Sequence, residues 1–226
     1  MKPEVFWTDQ FSSDTPLPVS TVLPAEVDVA IVGSGYTGLT AARVLAKAGS
    51  SVAVMDQYEI GWGASSRNGG MATPGLKQDI FKIHKKYGMD YAREFWRSSV
   101  DAIDLLEQII IEENIDCDWS RKGHIALACK QSHYDELPEY AAWIKKEMGH
   151  EKTIVPREEI RSEIGTDTYF GGLSDESSGG LQPAKYVNGL ARAVADLGVK
   201  LCKDTRVEKI NRNGSGHELI TSKGDM

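Results

Sequence analysis

Apolar residues near the start of the chain follow two spacings in turn, one typical of buried strands and one typical of a helix. Residues 29–32 and 52–55 are short apolar runs without a polar interruption, as strands covered on both faces of a parallel sheet require. Between them, apolar residues recur at helical spacing and predict a helix over residues 37–48, which Gly49 ends. This strand–helix–strand order predicts a doubly wound α/β fold.

Further along the chain the same patterns predict helices and strands in a mixed order. Helices are predicted at residues 78–87, 90–114, 137–148, 156–164 and 184–197. Strands are predicted at residues 124–129, 169–173, 199–202, 206–211 and 217–221. The longest helix carries a predicted core stripe of Phe95, Val100, Ile103, Leu106 and Ile110. Pro16, Pro18 and Pro24 predict an extended N-terminal lead, from which Phe6 and Trp7 are expected to pack on the rest of the protein.

The turn after the first strand reads Gly33-Ser34-Gly35-Tyr36-Thr37-Gly38, which is the spacing of a dinucleotide-binding motif. Gly33 permits the tight turn, Gly35 lets the backbone approach a pyrophosphate, and Gly38 allows the helix to pack closely on the strand. The helix N-terminus then points free N–H groups and a positive dipole end at the phosphate.

Asp56 ends the second strand, within the expected distance of roughly twenty residues after the glycines. A carboxylate there accepts hydrogen bonds from an adenosine ribose and repels a 2′-phosphate, which disfavours NADP. Because strand, helix and acid stand at the required spacing, we favour a dinucleotide site. The alternative is a glycine-rich turn in an α/β unit that binds no nucleotide.

Composition and charge narrow the class of protein. The chain of 226 residues is 41% hydrophobic and 26% charged, with a net charge of −7 and no long basic run, which argues against nucleic acid as a partner. Neither a signal peptide nor a transmembrane segment is predicted. Three separated cysteines form no metal-ligand spacing with the five histidines, so we expect reduced thiols, no metal site and a cytoplasmic location. The oligomeric state is left open.

A second glycine cluster, Ile60-Gly61-Trp62-Gly63-Ala64-Ser65-Ser66-Arg67-Asn68-Gly69-Gly70, follows shortly after Asp56. Together with the first motif, it resembles the FAD-dependent amine and amino-acid oxidases of the D-amino-acid oxidase superfamily, and within them most closely the gamma-glutamylputrescine oxidase group. In that family the segment matching Gly63–Gly70 wraps the FAD pyrophosphate and ribityl chain. Small residues suit this role, since they let backbone N–H groups reach phosphate oxygens.

The resemblance implies a set of FAD-contacting residues in this sequence. They are Gly33, Ser34, Gly35, Tyr36, Thr37, Gly38, Asp56, Gln57, Gly63, Ala64, Ser65, Ser66, Arg67, Asn68, Gly69, Gly70, Met71 and Val207. Arg67 is expected to offset phosphate charge, with a surface arginine as the alternative. Gln182 matches a segment near the active site of the family, and an ordinary polar loop role is equally compatible with it.

The resemblance also implies the reaction: oxidation of a C–N bond in a small amine or amino-acid substrate to an imine, with hydride transfer to the flavin and later hydrolysis. No catalytic acid or base is assigned from the sequence. The substrate, the electron acceptor and the mode of flavin attachment stay open.

The predicted fold class is therefore α/β: an incomplete Rossmann-like FAD-binding domain with the beginning of an α+β substrate domain inserted. The predicted divisions are a lead over residues 1–25, the FAD-binding domain over 26–120 and 175–226, and the substrate domain over 121–174. We expect the strand that completes the sheet to follow Met226, and the chain alone to be inactive. The alternatives are an NAD-dependent dehydrogenase domain, which has no need of the second glycine cluster, and a non-catalytic nucleotide-binding fragment.

Overall fold

The computed structural model describes residues 4–11 and 16–226, which contain both helices and strands. Helices α1 to α8 are Phe6–Asp9, Tyr36–Lys47, Ile80–Tyr87, Met89–Glu112, Gln131–Asp135, Leu137–Met148, Ile160–Ile164 and Pro183–Asp196. Strands β1 to β11 are Val29–Val32, Val52–Met55, Met71–Ala72, His124–Leu127, Thr153–Pro156, Gly171–Asp175, Gly179–Gly180, Lys200–Cys202, Val207–Asn213, Gly216–Thr221 and Gly224–Asp225. Short 3-10 turns occupy Ala64–Ser66 and Arg157–Glu159.

The chain divides into two compact units. The first consists of the described residues up to Gly70 together with Ile109–Asp118 and Gln182–Met226, and the second of Met71–Gln108 and Trp119–Leu181. The predicted boundaries differ from this division, because residues 71–108 were expected in the nucleotide-binding domain. They lie in the second unit since buried side chains of α3 and α4 share one apolar cluster with Ile144 of α6. Which unit binds which ligand stays a prediction.

A parallel sheet in the order β1–β2–β8 forms the centre of the first unit. Val29 pairs with Val52, and Ala53 pairs with Lys200, so β2 is the middle strand. All four residues of β2 are buried, as expected of a strand flanked on both sides. Helices α2 and α8 pack against each other. The predicted parallel strands and the helix between the first two are thus confirmed.

An antiparallel sheet in the order β11–β10–β9 follows in the same unit. The strands predicted at 206–211 and 217–221 form its hairpin, with a register shift between Ile220 and Thr221. After β10 the chain returns as the two-residue strand β11, which pairs with the end of β10.

The second unit is built on an antiparallel sheet in the order β4–β6–β5, with a separate β3–β7 pair. Strand β5 was not predicted, because Pro156 suggested a helix start. Instead Pro156 ends β5 opposite Gly171, and the helical part shrinks to a 3-10 turn followed by α7. Strand β5 lies at the edge of its sheet, where a residue without an N–H is tolerated.

Two further expectations from the hydrophobic pattern need correction. Phe95 is 41% exposed, and its neighbour Trp96, at 4%, takes the buried position on α4. The lead predicted over residues 1–25 contains the helix α1, and Val19 forms a parallel bridge with Leu201. Residues 1–3 and 12–15 of this lead lie outside the described part of the chain.

Among the described residues, no helix has the length and apolar composition that crossing a bilayer requires.

A buried ion cluster joins the end of β6 to the segment that leads into β5 in the second unit. Asp175, on β6, is 3% exposed and accepts hydrogen bonds from His150 Nε2 at 3.0 Å and Ser177 Oγ at 2.6 Å, and it pairs with Lys152. Burial alone would raise the pKa of the Asp175 carboxyl, but the hydrogen bonds from His150, Lys152 and Ser177 outweigh it and hold that pKa well below its ordinary value.

We expect Asp175→Asn to lower the free energy of unfolding at pH 7 by roughly 3–5 kcal/mol, because it leaves the buried Lys152 without its counter-charge. Since the folded-state pKa of Asp175 is lowered, its stabilisation is full above the unfolded carboxyl pKa of about 3.9 and is lost as the pH falls below it. The wild type should therefore lose more stability than the variant between about pH 4 and pH 2, measured by urea unfolding.

Asp167→Asn is the control for this prediction, since Asp167 makes an exposed ion pair with Arg161 at 3.3 Å. Exposed pairs contribute about 0–1 kcal/mol. Equal losses in the two variants at pH 7 would contradict a special role for the buried cluster.

Candidate functional site

The first glycine motif forms a tight connection between β1 and α2. Gly33 has φ +102°, which favours glycine, and a Cβ on Gly38 would lie 2.1 Å from the Gly33 carbonyl oxygen. Helix α2 begins at Tyr36 with Gly35 as its N-cap, which supplies no capping side chain, and its first turn contains no acid. The first N–H groups of a helix have no partner inside it. This helix end is therefore suited to an anion.

Ser34 is fully buried and links both glycine motifs to the end of β2. Its N–H and its Oγ donate to Asp56 Oδ2 at 2.9 Å and 2.6 Å. The same Oγ accepts the N–H of Gly61 at 2.8 Å. One serine hydroxyl thus fixes the distance between the β1 turn, the acid and the start of the second glycine cluster.

The backbone of Asp56 continues this connection to the third strand. Its N–H donates to the Cys202 carbonyl at 3.0 Å, and its carbonyl accepts the N–H of Thr205 at 2.6 Å. The Asp56 Oδ1 atom accepts only the N–H of Tyr58, at 3.0 Å, among the described residues. A carboxylate has about four lone-pair sites, so Oδ1 keeps capacity for a further hydroxyl donor. Val207, which lies shortly after Thr205 in the sequence, packs against the buried cluster of Met55, Cys202 and Leu219.

The second glycine cluster folds back on the N-terminus of α2. Ser65 Oγ accepts the N–H of Tyr36 at 3.0 Å, and a Cβ on Gly35 would lie 3.0 Å from that same Oγ. Asn68 closes the turn, since its Nδ2 donates to the carbonyls of Ala64 and Ser65 at 3.1 and 3.2 Å and its Oδ1 accepts the N–H of Gly70 at 2.8 Å. We call residues 61–70 the wrapping loop.

The Arg67 side chain makes its contacts within the wrapping loop. Its Nε donates to the Trp62 carbonyl at 2.7 Å, and its guanidinium carbon lies 4.0 Å from the centre of the Trp62 ring. Tyr58 packs on Trp62 with ring centres 4.2 Å apart. Contact of Arg67 with a cofactor phosphate stays a prediction, and the structure gives its side chain a role in shaping the loop.

Most of the residues proposed to contact FAD lie together in the first unit, whereas Met71 begins β3 of the second unit and is 67% exposed. Two residues that the prediction left out also contribute. Gly61 has φ +73° and leaves no room for a Cβ, which would lie 2.8 Å from the Val187 methyl groups, and Trp62 supports Arg67. Both residues belong to the second glycine cluster, so their position in this motif could have identified them as part of the site.

These residues fit the pyrophosphate of a dinucleotide cofactor. Gly35 and Gly38 let the backbone and Ser65 approach the start of α2 closely, and the helix dipole favours negative charge there. The aromatic pair beside this site, Tyr36 and Tyr186, has ring centres 5.1 Å apart. Burial raises the pKa of both phenols, so they stay neutral at physiological pH. The site is thus built to bind a cofactor, and no acid or base for catalysis is assigned within it.

Comparison with known proteins agrees with this geometry. The family model described as FAD dependent oxidoreductase matches residues 28–225. The chain is 34% identical over 211 residues to a probable oxidoreductase OrdL of Haemophilus influenzae, covering 92% of this chain and 48% of the relative. It is 34% identical over 199 residues to the gamma-glutamylputrescine oxidoreductase of Escherichia coli, covering 88% of this chain and 46% of that protein.

Among solved structures, glycine oxidase from Geobacillus kaustophilus superposes with a TM-score of 0.71 at 25% identity, covering 88% of this chain and 52% of that one. The chain spans about half the length of these relatives.

The chain belongs to the FAD-dependent oxidoreductase family. The predicted family, α/β fold class and FAD cofactor are confirmed, and the NAD-dependent alternative is set aside. The individual contacts to FAD remain predictions.

We expect Ser34→Ala to lower the free energy of unfolding by about 2–3 kcal/mol, because it leaves the Gly61 N–H without its buried acceptor and removes a charge-assisted bond to Asp56. Ser51→Ala is the matched control. Ser51 makes the same pair of hydrogen bonds, to Asp28 Oδ2 at 2.7 Å each, but in an exposed position. Urea unfolding should show a loss below about 1 kcal/mol for the control, and equal losses would argue against Ser34 as the link.

Gly38→Ala should weaken FAD binding at least about tenfold, because its Cβ would meet a backbone oxygen and displace the start of α2. Titration of the apoprotein, followed by flavin fluorescence, measures this change. Gly216→Ala serves as control, since its Cβ would lie 3.8 Å from the nearest atom. Unchanged FAD affinity in Gly38→Ala would show that the motif does not approach the cofactor.

Proposed function

We propose that this chain forms the FAD-binding part of an enzyme that oxidises a C–N bond of a small amine or amino acid. The observation that carries the proposal is the buried Ser34–Asp56–Gly61 linkage, which holds two glycine-rich segments around the N-terminus of α2. The membership of the FAD-dependent oxidoreductase family supports it. The similarity to a gamma-glutamylputrescine oxidoreductase supports an amine substrate.

Within this proposal the residues of the chain bind and orient the cofactor. The backbone at Gly33–Gly38 and the donors of the wrapping loop hold the pyrophosphate, and the free capacity of Asp56 Oδ1 accepts a ribose hydroxyl. When bound, FAD supplies the hydride acceptor for C–N oxidation. Val207 and Gln57, next to these residues, are proposed to border the adenine end.

We also propose that the protein acts in the cytoplasm. The three cysteines are free thiols, two of them buried, which suits a reducing compartment. Burial raises the pKa of the Cys202 thiol and keeps it protonated.

The test uses the intact protein that carries this chain. We expect the purified protein to hold FAD, identified after denaturation by chromatography, and an amine such as gamma-glutamylputrescine to bleach the flavin absorbance near 450 nm without oxygen. Asp56→Ala should raise the FAD dissociation constant about tenfold or more, whereas Asp225→Ala, at an exposed position, should leave it unchanged.

The outcomes separate the alternatives. Retained FAD that no amine or amino acid bleaches would favour the non-catalytic nucleotide-binding alternative. Equal FAD affinity in the Asp56→Ala protein and the wild type would overturn the proposed site.

A further inference from the structure

A contact between residues that are far apart in sequence joins helix α1 to the wrapping loop. Trp7, on α1, donates its Nε1–H to the Asn68 carbonyl at 2.6 Å. Asn68 is the residue whose side chain closes the loop, through the carbonyls of Ala64 and Ser65. Trp7 therefore contacts the wrapping loop at Asn68, the residue that holds the loop in its folded shape.

The other side of Trp7 is anchored to the start of α8. Its carbonyl accepts a hydrogen bond from Gln182 Nε2 at 2.8 Å. Gln182 is only 7% exposed, and its Oε1 accepts the N–H of Lys185 at 2.8 Å as the N-cap of α8. The backbone N–H of Gln182 donates to the Cys117 carbonyl, also at 2.8 Å. Besides its bond to Trp7, Gln182 is thus held at two atoms, and it gives Trp7 a rigid support.

These contacts link three segments that are otherwise distant in sequence. Trp7 lies between Asn68 of the wrapping loop and Gln182 of α8, and one hydrogen bond leads to each. The Tyr36 hydroxyl lies within 3.5 Å of Asn68 Nδ2 and 3.4 Å of the Pro183 carbonyl, so a second, weaker connection runs in parallel. The family model begins at residue 28, so the segment that carries Trp7 lies outside the match.

We propose that Trp7 is a positioning residue for the cofactor: α1 acts as a clasp that holds the wrapping loop in its FAD-binding conformation. The inference rests on the proposed role of this loop in FAD binding. A loop that is closed only part of the time binds its ligand more weakly in proportion to the closed fraction. The clasp raises this fraction by connecting Asn68 to a helix of the unit core. It also gives Gln182 a role, namely as the anchor of the clasp.

Trp7→Phe is the variant that tests the clasp, because it keeps an aromatic ring and removes the Nε1–H donor. Trypsin cleaves after arginine, so cutting between Arg67 and Asn68 reports opening of the loop. We expect this cut to become about five- to tenfold faster in Trp7→Phe, in agreement with the loss of one hydrogen bond. The FAD dissociation constant should rise by a similar factor, cleavage after Lys77 in the second unit should be unchanged, and the melting temperature should fall by only about 2–5 °C.

Phe6→Leu is the matched control, since Phe6 adjoins Trp7 with ring centres 5.0 Å apart but is 61% exposed. It should leave both the Arg67 cut and the FAD affinity at wild-type values. Unchanged Arg67 cleavage in Trp7→Phe would overturn the clasp, and so would equally faster cleavage at Arg67 and Lys77, which would show a general loss of stability. A wild type that binds no FAD would overturn the proposed function instead, while cleavage without FAD would still report on the clasp.

Discussion

The hydrogen bonds of Ser34 set the geometry on which the rest of the site depends. Its hydroxyl, which belongs to a residue without solvent access, connects the β1 turn to the Asp56 carboxylate and to the Gly61 N–H. A buried hydroxyl that lost either partner would leave a polar group unsatisfied, so both contacts must form together. The start of α2, the end of β2 and the start of the wrapping loop are therefore placed by one residue. The opposite ends of β1 and β2 are joined by similar chemistry between Asp28 and Ser51, but that pair is exposed.

Helix α2 is fixed near its C-terminal end by a different interaction. Arg43, only 7% exposed, donates to Glu113 at 2.6 Å and pairs with Glu112, while Lys47 lies 2.6 Å from Glu113. The hydrogen bonds from Lys47 and Arg43 hold the pKa of Glu113 below its ordinary value, so this carboxylate stays charged. A helix that packs by its glycine-lined start and by ion pairs at its end has little freedom to tilt. The N–H groups at its start consequently keep a constant direction, which an anion-binding site requires.

The parts of the structure that the sequence predicts well are those with local causes. The Gly33–Gly38 turn follows from steric demands within six residues, and β1 and β2 follow from uninterrupted apolar runs. The place of residues 71–108 has a distant cause, because it depends on packing with Ile144, far along the chain. The prediction that Arg67 contacts a phosphate follows only from its charge, whereas its contact with Trp62 depends on how the loop folds. The bond between Trp7 and Asn68 spans 61 positions and leaves no periodic or compositional trace.

The position of Arg67 bears on how the wrapping loop meets a charged cofactor. It is the one cationic side chain among residues 61–70, and its guanidinium lies over an aromatic ring, where Nε is already bonded. In a chain with a net charge of −7, attraction of a pyrophosphate then has to come from oriented N–H groups and the helix dipole more than from side-chain charge. Such donors act only over short distances and only when correctly aimed. Rigidity of the loop, from Asn68 within and Trp7 outside, is therefore the physical condition for binding, since a flexible loop would lose the alignment that replaces charge.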